Sequence, residues 1–171
     1  YWTERLTGLP DVLDLPMDRS RPTVASHLGA RLEFDFPAGL ADRVDLLASR
    51  HRATPFMVVH AGLAALLARL SATTDIAVLT PTAGRGQRVL DPLVGMFINN
   101  LVLRAEVASG TSFGELLRGV RDGDVDAFAH AEVPFEVIVE ALNPARSEAF
   151  APLAQVMLTY TEGRTGDPGR T

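Results

Sequence analysis

Val94-Gly-Met-Phe-Ile-Asn-Asn-Leu-Val-Leu-Arg104 lies mid-chain, a glycine followed by an apolar run that carries two adjacent amides. From Leu101 the residues alternate: Leu101, Leu103, Ala105 and Val107 share one parity, and Val102, Arg104 and Glu106 the other. This pattern predicts a half-buried strand that ends in Arg104-Ala-Glu. At its start stand Asn99 and Asn100, whose amides need hydrogen-bond partners wherever they are buried. Two readings are open: at least one ties down a loop or faces a ligand, or both are turn-forming residues ahead of a strand.

On either side the sequence reads as scaffold. Asp75-Ile-Ala-Val-Leu-Thr80 is almost continuously apolar, as in a strand covered on both faces. It runs into Pro81-Thr-Ala-Gly-Arg-Gly-Gln-Arg88, where glycines beside Arg85 and Arg88 invite comparison with a phosphate loop. No Gly-Lys-Ser/Thr follows, so a turn or crossover exposing these arginines is preferred. Upstream, Leu40, Val44, Leu47 and Ala48 recur at helical spacing up to about Arg52. Thr54-Pro55 then opens a second helix with Phe56, Val59, Leu63, Leu66, Leu67 and Leu70 on its apolar face, while its alanines and Gly62 point to close packing. His60 within it reads as a satisfied core or interface group.

Arg31-Leu-Glu-Phe-Asp-Phe36 alternates strictly and predicts a strand with Leu32, Phe34 and Phe36 inward and one wet face. Tyr1 to Leu6 predicts a short helix stopped by Gly8, and Leu13 to Pro22 an extended connector whose Arg19 and Arg21 read as solvated. Downstream, Ser112-Phe-Gly-Glu115 has the form of a reciprocal helix cap, with Phe113, Leu116, Leu117, Val120, Ala127 and Phe128 continuing the period. Asp122, Asp124 and Asp126 lack the glycine and terminal glutamate of a calcium loop and read as a solvated face. His130-Ala-Glu-Val-Pro-Phe-Glu136 breaks that helix and starts another at Pro134, with Phe135, Ile138, Val139 and Leu142 facing inward. Leu153 to Tyr160 has strand composition, with Gln155 an amide in an apolar run.

The 171 residues suit one domain or one lobe of a larger one, and 47% hydrophobic content supplies a core. A net charge of -5, with both signs interspersed, gives no field for nucleic acid or an anionic membrane. Without cysteine there are no disulfides, thiolate metal sites or cysteine nucleophile, which is compatible with a reducing cytoplasm. No apolar run is long enough to span a bilayer. The chain starts without methionine or a leader pattern and reads as an internal segment, and residues 161–171 read as a linker or disordered tail. The histidines, His27, His51, His60 and His130, are scattered, and neither a general-base motif nor a metal spacing emerges.

Several of these stretches, in this order, resemble the C-terminal half of the condensation domain of nonribosomal peptide synthetases. Tyr1-Trp with Leu6-Thr-Gly-Leu-Pro10 and Leu15-Pro-Met-Asp-Arg-Ser-Arg-Pro22 is similar to the segment that begins that half. Thr80-Pro-Thr-Ala-Gly-Arg85 resembles the family's threonine-proline-x-alanine-glycine-arginine stretch. Val94 to Arg104 is similar to its glycine-x-phenylalanine-valine-asparagine-threonine motif, with isoleucine for valine and Asn100 for threonine. His130 to Glu136 resembles its histidine-x-aspartate-x-proline-phenylalanine-glutamate motif, with Glu132 for aspartate. Pro152 to Leu158 resembles the last motif, with Ala154 for a usual phenylalanine and the preceding arginine-aspartate-x-serine pattern reduced to Arg146-Ser147.

The resemblance implies an α+β fold, an α/β sandwich in which residues 1–160 form one lobe of a chloramphenicol-acetyltransferase-like pair, a mixed sheet flanked by helices. It implies amide formation between carrier-bound donor and acceptor, with phosphopantetheine arms belonging to partner carriers. The implied partners are the N-terminal lobe, upstream and downstream carrier domains and an adjacent adenylation domain, in the cytoplasm. It places Arg85 at the crossover, Gly95, Phe97 and Asn99 on the channel floor, Arg104 at the strand end, and His130, Pro134, Phe135 and Glu136 at the second helix start, with Gln155 in the last motif. The family's His-His-x-x-x-Asp-Gly signature is absent, so no catalytic residue and no metal ligand is expected in this chain. Alone it is expected to be inactive and prone to self-association through the apolar face left for its partner. Two other readings remain: a non-catalytic condensation-like module that recruits a partner protein, and a related acyltransferase with a hydroxyl acceptor or a soluble thioester.

Overall fold

A computed structural model describes residues 1–84 and 92–161. In chain order the elements are α1 (Trp2–Leu6), α2 (Leu40–His51), α3 (Pro55–Ser71), β1 (Asp75–Thr82), β2 (Asn99–Glu106), α4 (Phe113–Ala129) and α5 (Phe135–Leu142). Local chemistry sets the two long helices. Thr54 Oγ1 accepts from the Met57 N–H at 3.3 Å, and Pro55 occupies the first turn, where its missing N–H costs nothing. At α4 the cap is reciprocal: the Glu115 N–H donates to Ser112 Oγ at 3.3 Å, and Glu115 Oε2 accepts from the Ser112 N–H at 2.9 Å. The Ser112 hydroxyl also donates to Glu115 Oε2 at 2.7 Å, and this bond first, the Ser112 N–H second, favours the ionised carboxylate and lowers the Glu115 pKa.

β1 and β2 pair antiparallel, from Asp75↔Glu106 to Thr82↔Asn99. On the far side of β1 the backbone near Met157 runs parallel: the Leu79 N–H donates to Val156 O and the Leu158 N–H donates to Leu79 O, both at 2.8 Å. β1 is therefore central and the arrangement mixed. Register puts Ile76 and Val78 on one face with Ala105 and Leu103, and Ala77 and Leu79 on the other with Arg104 and Val102. Ile76, Val78 and Ala105 join a core built with Ala48 of α2, Met57, Val58, Ala61, Ala64 and Leu67 of α3, and Leu116, Leu117 and Val120 of α4. Ala77, Leu79 and Val102 belong to a second core with Trp2, Leu6, Ile138, Leu153 and Ala154.

Several expectations need correction. Val102 is as buried as its neighbours, because the segments at Leu6 and Leu153 cover the face that alternation assigned to solvent; only Arg104 and Glu106 reach water there. Asp124 is buried, not solvated, whereas Asp122 and Asp126 are exposed. Arg31 to Phe36 belongs to no sheet among the described residues, and its three apolar side chains stand outside the core. Leu66 and Leu70 are exposed, and a Cβ added at Gly62 meets nothing within 4 Å, so this glycine is not a packing contact. Of the inward residues expected on α5, Ile138 alone is fully buried, and Phe135, Val139 and Leu142 are half-buried. The strand expected over 153–160 is reduced to the bridge at Met157.

Candidate functional site

The opening stretch meets the rest of the fold at two points. The first is steric. Gly84 has φ +60°, and a Cβ built there falls 1.7 Å from the carbonyl oxygen of Phe97. The Thr80-Pro-Thr-Ala-Gly84 segment and the Gly95-to-Asn99 segment thus press backbone against backbone, and only glycine supplies both the conformation and the space. Thr82 Oγ1 adds a hydrogen bond to Asn99 O at 3.2 Å. Gly95 lies over the Phe97 ring, its virtual Cβ 3.3 Å from that ring. Val94, Met96 and Ile98 point away into solvent, so the arm presents an apolar edge. Arg85 lies outside the described residues.

The second point is polar. Asn99 Nδ2 donates to Ala131 O at 2.9 Å and to Val133 O at 2.8 Å, while its Oδ1 accepts from the Phe135 N–H and the Asn100 N–H, each at 3.0 Å. α5 begins after Pro134, which has no side chain able to cap it, and the amide of Asn99 supplies that cap from another element. Of the two readings open to the asparagines, the loop tie describes Asn99. Its donors are both committed, so it positions the start of α5. Glu136, in the first turn of that helix, is exposed.

His130 ends α4. Its Nδ1 lies 2.8 Å from Asp126 O, its carbonyl accepts from Trp2 Nε1 at 3.1 Å, and its ring stacks on Tyr1 with centroids 4.0 Å apart. Burial in this stack pushes the Tyr1 phenol pKa up. Arg104 holds Asp75 through two parallel bonds, Nε to Oδ1 at 2.8 Å and Nη2 to Oδ2 at 2.7 Å, and turns Nη1 to the carbonyls of Arg5 and Thr7. Hydrogen bonding to Asp75 raises its pKa further. Gln155 accepts from the Leu13 N–H at 2.8 Å and donates to Asp11 O and Ala151 O, fastening the connector to the last motif. Asn99, His130, Pro134 and Phe135 therefore form one neighbourhood with Phe97 beside it. Arg104 and Gln155 are separate clamps.

One pair was not legible from spacing. His60 and Asp124 face each other across α3 and α4, Nδ1 to Oδ2 at 3.0 Å, with both side chains buried and His60 Nε2 unpartnered. The available signal was helical: Asp124 lies four residues after Val120 and three before Ala127, on the apolar stripe. No nucleophile, base and orienter converge among the described residues. Nor does any group of three or more His, Cys, Asp or Glu there suit a metal ion. Among the described residues no single helix is long and apolar enough to cross a membrane.

A family profile described as "Condensation domain" matches residues 1–165. The chain is 47% identical over 166 residues to an isonitrile lipopeptide synthase of Mycobacterium tuberculosis (strain ATCC 25618 / H37Rv), covering 97% of this chain and 7% of that protein. It is 48% identical over 160 residues to a dimodular nonribosomal peptide synthase of Bacillus subtilis (strain 168), covering 94% and 7%. Among solved structures, a four-domain nonribosomal peptide synthetase bound to AMP and glycine superposes with a TM-score of 0.91 at 28% identity, over 96% of this chain and 12% of that one. The X-domain from teicoplanin biosynthesis superposes at 0.86 and 29% identity, over 91% and 35%. The chain thus spans a small part of these synthetases and about a third of that single domain.

Proposed function

The chain belongs to the condensation-domain family, and from that premise we propose that it is the C-terminal lobe of a domain that forms amide bonds in nonribosomal peptide synthesis. One observation carries the lobe reading: the match extends over residues 1–165, yet the sequence holds no His-His pair. The histidine that orients the acceptor amine then comes from a complementary N-terminal lobe, and the reaction takes place between the two. There the amine of a carrier-bound aminoacyl acceptor attacks the thioester carbonyl of a carrier-bound acyl or peptidyl donor. The C–N bond forms, the C–S bond breaks, and the amine proton leaves as the thiol is released.

This lobe's own residues position. The Gly84–Phe97 contact fixes the arm, the Asn99 amide sets the start of α5 against it, and Val94, Met96 and Ile98 give one channel wall an apolar lining. An apolar wall suits the alkyl segments of the phosphopantetheine arms that the upstream and downstream carriers bring; those arms supply the thioesters. Arg104 and Gln155 hold the scaffold. The adjacent adenylation domain and a cytoplasmic setting belong to the same reading.

The test compares this chain with the two-lobe domain on carrier-bound substrates. Condensation by the two-lobe domain and none by this chain is expected; turnover by this chain alone overturns the lobe reading. A second reading, a non-catalytic module that recruits a partner, draws on the likeness to the X-domain from teicoplanin biosynthesis, which has also been solved in complex with OxyB. A degenerate His-His-x-x-x-Asp-Gly signature in the complementary lobe selects it.

A further inference from the structure

Pro81 stands inside β1, the central strand, where a residue without an N–H leaves one ladder bond unmade. The pairing around it identifies that bond. A parallel ladder advances by two residues on each strand. The Leu79 N–H donates to Val156 O and the Leu158 N–H to Leu79 O, each at 2.8 Å, so the next bond in the series runs from the N–H of residue 81 to Leu158 O. Proline cannot make it. Leu158 O is paired all the same, because Thr80, itself buried, donates to it through Oγ1 at 2.9 Å. The step after that, from the Tyr160 N–H to the carbonyl of Pro81, is not made among the described residues. On its other side the bridge is bounded by a turn: Leu153 has φ +66°, and the Ala154 N–H donates to Pro152 O at 2.8 Å. A segment with strand composition thus pairs at Met157 alone.

We propose that Thr80 and Pro81 act as one device that ends the sheet past Leu158. Proline withholds the N–H that carries a parallel pairing onward, and the threonine hydroxyl takes the carbonyl that the missing N–H leaves without a donor. Each half depends on the other. A side chain without a donor at position 80 strands a part-buried acceptor, and a residue with an N–H at position 81 lets the pairing continue to Tyr160. Thr80 is accordingly a positioning residue. Along this stretch Thr80, Thr82 and Gly84 each fix a different neighbour: Leu158 O, Asn99 O at 3.2 Å, and Phe97 O by close approach. Of the three, Thr80 reaches across the far edge of β1. It sets where the last segment leaves the sheet, while Gln155 sets where that segment joins the connector. An incidental hydroxyl contact makes neither residue depend on the other, whereas the device makes Thr80 matter only while position 81 lacks an N–H.

Thr80→Val and Pro81→Ala, singly and together in this chain, test the device by urea denaturation and hydrogen–deuterium exchange. Thr80→Val keeps the shape and removes the donor, and is expected to lower the folding equilibrium constant about 5-fold or more. Pro81→Ala alone is expected to lower it about 2- to 5-fold through the greater freedom of the unfolded chain. Added to Pro81→Ala, Thr80→Val is expected to cost less than about 2-fold, because the restored N–H takes Leu158 O. The Tyr160 amide is expected to exchange about 10-fold or more slowly in Pro81→Ala than in the unaltered chain, as the pairing runs one step further. An equal cost of Thr80→Val in both backgrounds overturns the device, and unchanged Tyr160 exchange in Pro81→Ala overturns the claim that proline ends the pairing. If Thr80→Val alone does not fold, the double variant decides: a folded double variant supports the device, and an unfolded one overturns it.

Discussion

Replacement of Asn99 tests the claim that one side chain couples the mid-chain arm to α5. Its amide makes four hydrogen bonds, to Ala131 O, Val133 O, Phe135 N and Asn100 N, between 2.8 and 3.0 Å. A protein hydrogen bond contributes about 1 kcal/mol net, and a buried group left without a partner costs about 1–3 kcal/mol. Asn99 is only half-buried, so water can reach part of the vacated space and the four losses do not add in full. Asn99→Ala is expected to cost ~2–3 kcal/mol, read as a lower urea midpoint at unchanged slope. Asn99→Asp separates donor from acceptor. One carboxylate oxygen can still receive the Phe135 and Asn100 N–H groups, and a negative charge at the start of α5 gains about 0.3–1 kcal/mol. The other oxygen faces the two carbonyls at the positions now occupied by Nδ2, and that repulsion outweighs the gain. At pH 7 the aspartate variant is therefore expected to be no more stable than the alanine variant. The carbonyls raise the folded-state pKa of the new carboxyl, so its relative stability is present below the unfolded value and is lost as pH rises through the folded one. Wild-type stability of Asn99→Asp at pH 7, or a cost below about 0.5 kcal/mol for Asn99→Ala, refutes the coupling.

Gly84→Ala combines left-handed strain with a clash on Phe97 O and is expected to cost ~3 kcal/mol or more by chemical denaturation; Gly39→Ala, at φ +76° with open space around it, serves as the control at ~1 kcal/mol. His60→Ala and Asp124→Ala each strand a buried partner and are expected to cost about 3–5 kcal/mol, whereas the double variant costs less than their sum, a coupling that a double-mutant cycle measures. Ser112→Ala removes the hydroxyl bond that contributes most to lowering the Glu115 pKa and leaves the backbone one. The advantage of wild type over this variant is therefore full above the ordinary carboxylate range and shrinks as pH falls through the depressed folded pKa, as thermal melts across pH 3–6 register.

What the sequence discloses divides along the reach of the interactions. The caps at Thr54 and Ser112 are contained within four residues, and both form as the local pattern predicts. β1 is legible because its central run, Ile76 to Leu79, is apolar at every position and needs no knowledge of its neighbours. Asn99 is legible only in part: an amide beside an apolar run demands partners, but nothing nearby names Ala131, Val133 and Phe135 as those partners. Asp124 reads as solvated because its charge outweighs its place on the helical stripe, and the partner that makes burial tolerable lies 64 residues away. For Arg31 to Phe36 the alternation is real, and what covers it is not found among the described residues. The Gly84–Phe97 contact is invisible to composition, since it depends on two backbones meeting.

The Gln155 clamp carries a consequence for biogenesis. Its amide joins Leu13 across 142 positions and Asp11 across 144, and Trp2 reaches the carbonyl of His130 across 128. On a ribosome, where residues emerge in order, the segments around Trp2 and Leu13 wait without these partners until residues 130 and 155 have been made. α2, α3 and α4 bring adjoining stretches together and can gather earlier, whereas the second core closes late because its contacts carry a large loop-closure entropy. Trp2 and Leu6 stay exposed throughout that interval, the period in which a long polypeptide under synthesis is most open to aggregation or to pairing with a neighbouring module.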